Sequence, residues 1–171
     1  MLLHFSEDPA IEIFAPHIPA TANPEDRKPM VWTVDEDHAP GFWFPRHCPR
    51  ACCWTKNEPL SDIAKTLLGM GAGNRMHAVE TVWLERMRAC TMYVYRFDPA
   101  PFALYNKDAG YYATTETVRP LCVEPIGDLL TLHAEAGIEL RIVPNLWPVI
   151  DAILASGLDF SIIRKANALP R

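Results

Sequence analysis

The sequence predicts an α+β domain in which a split, largely antiparallel sheet is flanked by helices. Segments with strand character outnumber helical ones, and no helix follows every strand, which excludes the regular alternation of a doubly wound parallel sheet. Sixteen prolines in 171 residues imply short elements joined by stiff turns and count against a helical bundle. No Gly-x-Gly-x-x-Gly or Walker-type loop is present, because the Gly69 to Gly73 stretch lacks both a following Lys-Ser/Thr and a preceding buried strand.

In chain order, Leu2 to Phe5 is a short apolar strand ended by Ser6-Glu7-Asp8-Pro9, and a turn-rich stretch from Pro16 to Pro29 follows. Met30 to Val34 is β-branched and aromatic and predicts a second strand. Asp35 is placed to cap a helix running through Phe44, where Pro45 stops it. Ala51 to Trp54 predicts a strand, and Ser61-Asp62-Ile63 opens a helix that ends in the glycine-rich stretch, expected to be a mobile loop. Met76, Val79, Val82, Trp83, Arg86 and Met87 recur at helical spacing and predict an amphipathic helix over 74–89. Thr91 to Phe97 alternates with period two, and the turn Asn106 to Gly110 has strands on either side, the second being Tyr111 to Thr115. Val118 to Pro125 reads as a strand, Gly127 to Ala136 as a helix closed by Gly137, and Ile138 to Ile142 as a strand. A last helix over 145–155 turns Leu146, Trp147, Ile150, Ile153 and Leu154 to one side, and Phe160 to Ile163 is a final strand.

The length is that of one domain, residues 1–171, with no internal repeat or dividing linker. A net charge of −5 supplies no field for a polyanion, so nucleic acid is not an expected partner. No run of apolar residues is long enough for a membrane span, and the first residues lack a signal-peptide core, so the expected location is cytoplasmic. Five cysteines without a regular framework fit reduced thiols in such a compartment.

Several constellations carry chemistry. Period-two geometry puts His4 and Ser6 on one face of the first strand and Phe5 on the other. A histidine there titrates near neutrality and can bond a ligand hydroxyl or move a proton, and it also reads as a half-buried ring satisfied by backbone. Asp35, Asp37 and His38 lack a recognised ligand spacing and suit a helix N-terminus, so no metal is expected; a metal-dependent hydrolase built on His4, His38 and Asp35 is the least favoured reading. Arg46 and Arg50 stand on a proline-stiffened turn with Cys48, Cys52 and Cys53, where planar guanidinium forks suit a phosphate or carboxylate; the plainer reading is a surface turn. Strand alternation groups Tyr112, Thr114 and Glu116, a face able to stack a ring and set a carboxylate beside positive charge, or simply a solvent-facing strand.

The His4-Phe5-Ser6-Glu7-Asp8-Pro9 start, the Val31 to Ala39 segment, Phe44-Pro45-Arg46-x-Cys48-Pro49-Arg50 and Arg164-x-x-Asn167-Ala168 together resemble an uncharacterised bacterial family known only as a domain of unknown function. More distantly, the Leu-x-His-x-Ser opening (Leu2, His4, Ser6) followed by Val-Trp-Thr-x-Asp (Val31 to Asp35) is similar to the first half of ADP-ribosyltransferase-like proteins. That resemblance implies a split-sheet α+β fold binding NAD as substrate. It also implies a first-strand histidine on the nicotinamide ribose, a second-strand residue near the nicotinamide, and a late-strand glutamate stabilising an oxocarbenium-like state. These roles fall on His4, Thr33 and Glu116, with Ser6, Tyr112, Arg46 and Arg50 as further ligand contacts. The expectation is an NAD- or ADP-ribose-binding protein acting as a transferase or NAD glycohydrolase. The alternative is a non-catalytic small-ligand or protein-interaction domain.

Overall fold

The computed structural model describes residues 1–18, 27–55, 60–69 and 73–171. The strands are β1 (Leu2–Ser6), β2 (Val31–Val34), β3 (Arg50–Trp54), β4 (Arg75–Glu80), β5 (Tyr93–Phe97), β6 (Ala103–Asn106), β7 (Tyr111–Thr114), β8 (Cys122–Pro125), β9 (Glu139–Val143) and β10 (Asp159–Ile163). The helices are α1 (Asp62–Leu68), α2 (Leu84–Ala89), α3 (Leu129–Glu135) and α4 (Trp147–Ser156). The α+β class holds, and every strand pair is antiparallel except β4 with β9. The chain divides into two compact units, each assembled from two stretches: Met1–Phe42 with Met92–Ile126, and Trp43–Thr91 with Gly127–Arg171.

The first unit is a six-stranded sheet in the order β6-β7-β2-β1-β5-β8. Alternation along β1 and β5 turns Leu2, Tyr95 and Phe97 to one face, where they pack with Val31, Phe14 and Val118. Leu3, Val34 and Val94 fill the other face with Ala39. A strap after β1 covers the first of these faces. The Tyr95 hydroxyl donates to Asp8 C=O (2.6 Å) and accepts from Ile11 N–H (3.1 Å), and Phe14 bridges to Val118.

The second unit has a four-stranded sheet in the order β10-β3-β4-β9. Ala51, Cys53, Met76 and Ala78 on one face meet Leu67 and Leu68 of α1, Leu146 just before α4, and Ile150 and Ile153 of α4. Ser61 caps α1 by accepting from Ala64 N–H, and Asp128 caps α3 by accepting from Thr131 N–H.

Three elements differ from expectation. Residues 74–89 are not one helix: β4 occupies Arg75–Glu80, then a 3-10 turn over Thr81–Trp83 leads into α2. β4 lies between β3 and β9 and is buried on both faces, so it shows no in-out alternation, and the spacing of Met76 and Val79 matches a helical template by coincidence. The helix expected from Asp35 to Phe44 shrinks to a 3-10 turn over Ala39–Phe42. The Asp35 side chain accepts from His38 N–H, and Pro40, which has no N–H, prevents an α-helical ladder. The strand over 118–125 keeps only Cys122–Pro125, with Val118 held in an isolated bridge. Leu154, assigned to the inward side of α4, is 57% exposed. Parts of the expected Pro16 to Pro29 loop (19–26) and glycine loop (70–72) lie outside the described residues.

Candidate functional site

In the first unit the pairing register assembles three of the expected residues. Leu3 pairs with Val34, a register that sets His4 opposite Thr33, and Thr33 pairs with Tyr112. On its other side His4 pairs with Tyr95. Tyr95, His4, Thr33 and Tyr112 therefore form one row across β5, β1, β2 and β7, with their side chains on a common face. His4 Nδ1–H donates to Trp32 C=O at 3.0 Å, since a carbonyl only accepts. The ring lies edge-on to Phe14 at 5.0 Å. Thr33 is 3% exposed and its hydroxyl donates to Tyr112 C=O at 3.3 Å. His4 and Tyr112 are half-buried. Ser6, on the same face, is buried and accepts from Asp8 N–H at 3.1 Å, which starts the turn into the strap.

Glu116 departs from its expected strand position. β7 ends at Thr114, whose hydroxyl accepts from Glu116 N–H at 3.1 Å, and this local bond bends the chain and leaves Glu116 exposed past the strand end. A shallow cleft of about 350 Å³ reaches the row at Tyr112 and is lined by Met1, Leu2, Asp35, Glu36, Asp37 and Pro99. The amino terminus lies 3.6 Å from Glu36.

Arg46 and Arg50 belong to the second unit. Arg46 is exposed on the turn before β3, whereas Arg50 is 5% exposed, donates to Cys48 C=O at 3.1 Å and lies over the Phe44 ring. The Arg50 guanidinium thus holds its own turn together and is not displayed on a surface turn.

The second unit also holds a polar pair that the sequence reading passed over. His77 on β4 and His133 on α3 are buried and bonded ring to ring, Nδ1 of His77 to Nε2 of His133, at 3.0 Å. His133 Nδ1 lies 2.7 Å from Leu129 C=O, so it carries the proton, its Nε2 accepts, and His77 Nδ1–H donates. His77 Nε2 is left as a buried lone pair with no hydrogen-bond partner among the described residues. Burial and the neighbouring His133, Arg75 and Arg50 hold the His77 ring well below its usual pKa. Burial also lowers His133, against the opposing pull of the Leu129 carbonyl. Each histidine alone reads as core, and the one legible signal was a histidine inside the apolar run Met76-His77-Ala78-Val79.

Burial pushes the Cys48 and Cys52 thiols up to about 12 and Cys53 to about 11, with Arg50 or Arg141 pulling only weakly the other way. None of the five cysteines forms a disulfide. Among the described residues no group of three or more His, Cys, Asp or Glu side chains is placed to hold a metal ion, and no helix is long and apolar enough to cross a membrane.

Fold and site define an α+β protein with a central polar row on an antiparallel sheet and a buried histidine pair on a second sheet. The chain belongs to a family of unknown function, DUF6886, whose model matches residues 3–168. No curated protein and no solved structure matches it.

Proposed function

We propose that the first unit binds NAD, or the ADP-ribose left when its nicotinamide departs, in the manner of ADP-ribosyltransferase-like proteins. The observation that carries this reading is the register of β1, β2 and β7. A first-strand histidine, a second-strand residue and a late strand must lie side by side for one ligand to meet all three, and His4, Thr33 and Tyr112 do. The half-buried His4 ring suits a ribose hydroxyl, and the half-buried Tyr112 ring beside the cleft suits stacking on a flat ring. The carboxylates of Asp35, Glu36 and Asp37 favour the cationic nicotinamide end of NAD over a pyrophosphate in that cleft. Transfer or hydrolysis of ADP-ribose further requires a carboxylate near the forming positive charge, the part assigned to Glu116. The proposed setting is a bacterial cytoplasm.

Titration calorimetry and crystal soaks with NAD and ADP-ribose test the reading, with chromatographic detection of released nicotinamide. Saturable binding of NAD at millimolar concentration or tighter is expected, together with density against His4 and Tyr112. Absence of binding at millimolar ligand overturns it. If nicotinamide is released, Glu116→Gln should abolish release while leaving binding intact.

A second reading, a non-catalytic binding or interaction domain, is favoured by one observation. The Thr33 hydroxyl and His4 Nδ1 are already bonded to backbone, and Phe14 covers the His4 ring. NAD binding without nicotinamide release would support the ligand-binding form of this reading.

A further inference from the structure

The segment from Trp43 to Pro49, outside any strand or helix, lies against the His77–His133 pair. Phe44 meets both rings, at 5.7 Å from His77 and 5.1 Å from His133, and Trp43 stands 5.7 Å from His133. The segment is held by Cys48 N–H on Pro45 C=O, by Asn167 on His47 C=O and by Arg50 on Cys48 C=O. His47 adopts φ 72°, a left-handed conformation that is strained for a non-glycine residue, so opening releases strain. The other walls cannot yield as cheaply: His77 sits on a strand paired on both sides, and His133 is tied to its own helix.

The His77 lone pair is the one place in this relay that can take a proton. The groups that would meet the resulting cation are Arg50 and Cys52 on β3, Arg75 on β4 and His133 on α3, while Arg46 and His47 of the covering segment are exposed. β9 places Leu140 beside it. None of these is an acid. Glu80, on the same strand, alternates to the opposite face and bonds Leu146 and Leu169. The face of Phe44 is already taken by the Arg50 guanidinium at 5.4 Å.

We propose that the His133–His77 pair is an acid-operated latch for the Trp43–Pro49 segment: a proton taken up at His77 Nε2 lifts Phe44 and admits water to the relay. The closed form holds a histidine whose pKa lies below the unfolded value. Closure is therefore fully favoured above about pH 6.5 and weakens as the pH falls below it.

Hydrogen exchange read residue by residue, corrected for intrinsic rate, tests the latch in the full chain. Between pH 7.5 and pH 5 the amides of Trp43, Phe44, Arg46, His47 and Cys48 should open at least ~10-fold more, β3 and β4 should stay protected, and His77→Gln should abolish the change. Unchanged protection of the segment, equal acceleration in His77→Gln, or loss of β3 and β4 protection at the same pH would each overturn the proposal. Nitrogen-15 spectra of the histidine rings in the unsubstituted protein provide the second measurement. A ring that takes its proton at Nε2 while the segment keeps its protection overturns the latch even if the glutamine variant does not fold.

Discussion

Both side-chain oxygens of Glu80 accept from the backbone N–H of Leu169, each at 3.1 Å, and Oε1 also accepts from Leu146 N–H. Glu80 is fully buried and its bond to Leu146 N–H lies in the interior, so that donor has no water to fall back on. Glu80→Ala is expected to lower stability by about 3 kcal/mol in urea unfolding and to expose the amides near Leu169 to exchange. Glu80→Gln keeps one carbonyl oxygen for both donors and should cost about 1 kcal/mol. A near-neutral alanine variant would refute this account.

Gly110 closes the turn between β6 and β7 at φ +65°, with its carbonyl accepting from Asp35 N–H at 2.9 Å. A Cβ there would land on His38 Nδ1 and within 2.7 Å of Asp35 Oδ1, in addition to the backbone penalty. Gly110→Ala should therefore cost about 2–4 kcal/mol in denaturant titration. Gly127, also at positive φ but with open space around it, should lose only about 1–2 kcal/mol on the same change.

Tyr95→Phe removes the hydroxyl that joins Asp8 and Ile11 while leaving the packed ring in place. A loss of about 1–3 kcal/mol is expected, with faster exchange at Ile11. Unaltered protection of Ile11 would show that the strap is held by Phe14 alone.

Thiol reactivity should follow burial. Cys122 is exposed on β8, whereas Cys48, Cys52 and Cys53 are buried and protonated far above neutrality. Iodoacetamide at pH 8, followed by peptide mass spectrometry, should modify Cys122 first and reach those three only after denaturation. Early labelling of Cys52 in the native protein would contradict the packing around His77.

Much of the strand content was legible because β1 and β2 are short apolar or β-branched runs and the segment around β5 alternates with period two. β4 was not, since a central strand buried on both faces shows no alternation to read. The His4, Thr33 and Tyr112 row was half legible. Each residue's strand could be assigned from local pattern, but the register joining them depends on pairing between segments far apart in the chain. Glu116 was misplaced by a single local bond, Thr114 Oγ1 to Glu116 N–H, a competition that propensity does not rank. The His77–His133 bond joins positions 56 apart, and no spacing rule links them.

The interleaving of the two units also sets an order of events during synthesis. By the time Ile126 has left the ribosome every strand of the first unit exists, but the second has only β3, α1, β4 and α2. Until α3 to β10 are made, β4 has no partner on its β9 side, and Ala51, Cys53, Met76 and Ala78 lack the cover of Leu146, Ile150 and Ile153. An unpaired apolar edge of this kind is a template for pairing with other chains. The half-made second unit is thus where this polypeptide is most exposed to aggregation and most in need of chaperone shelter.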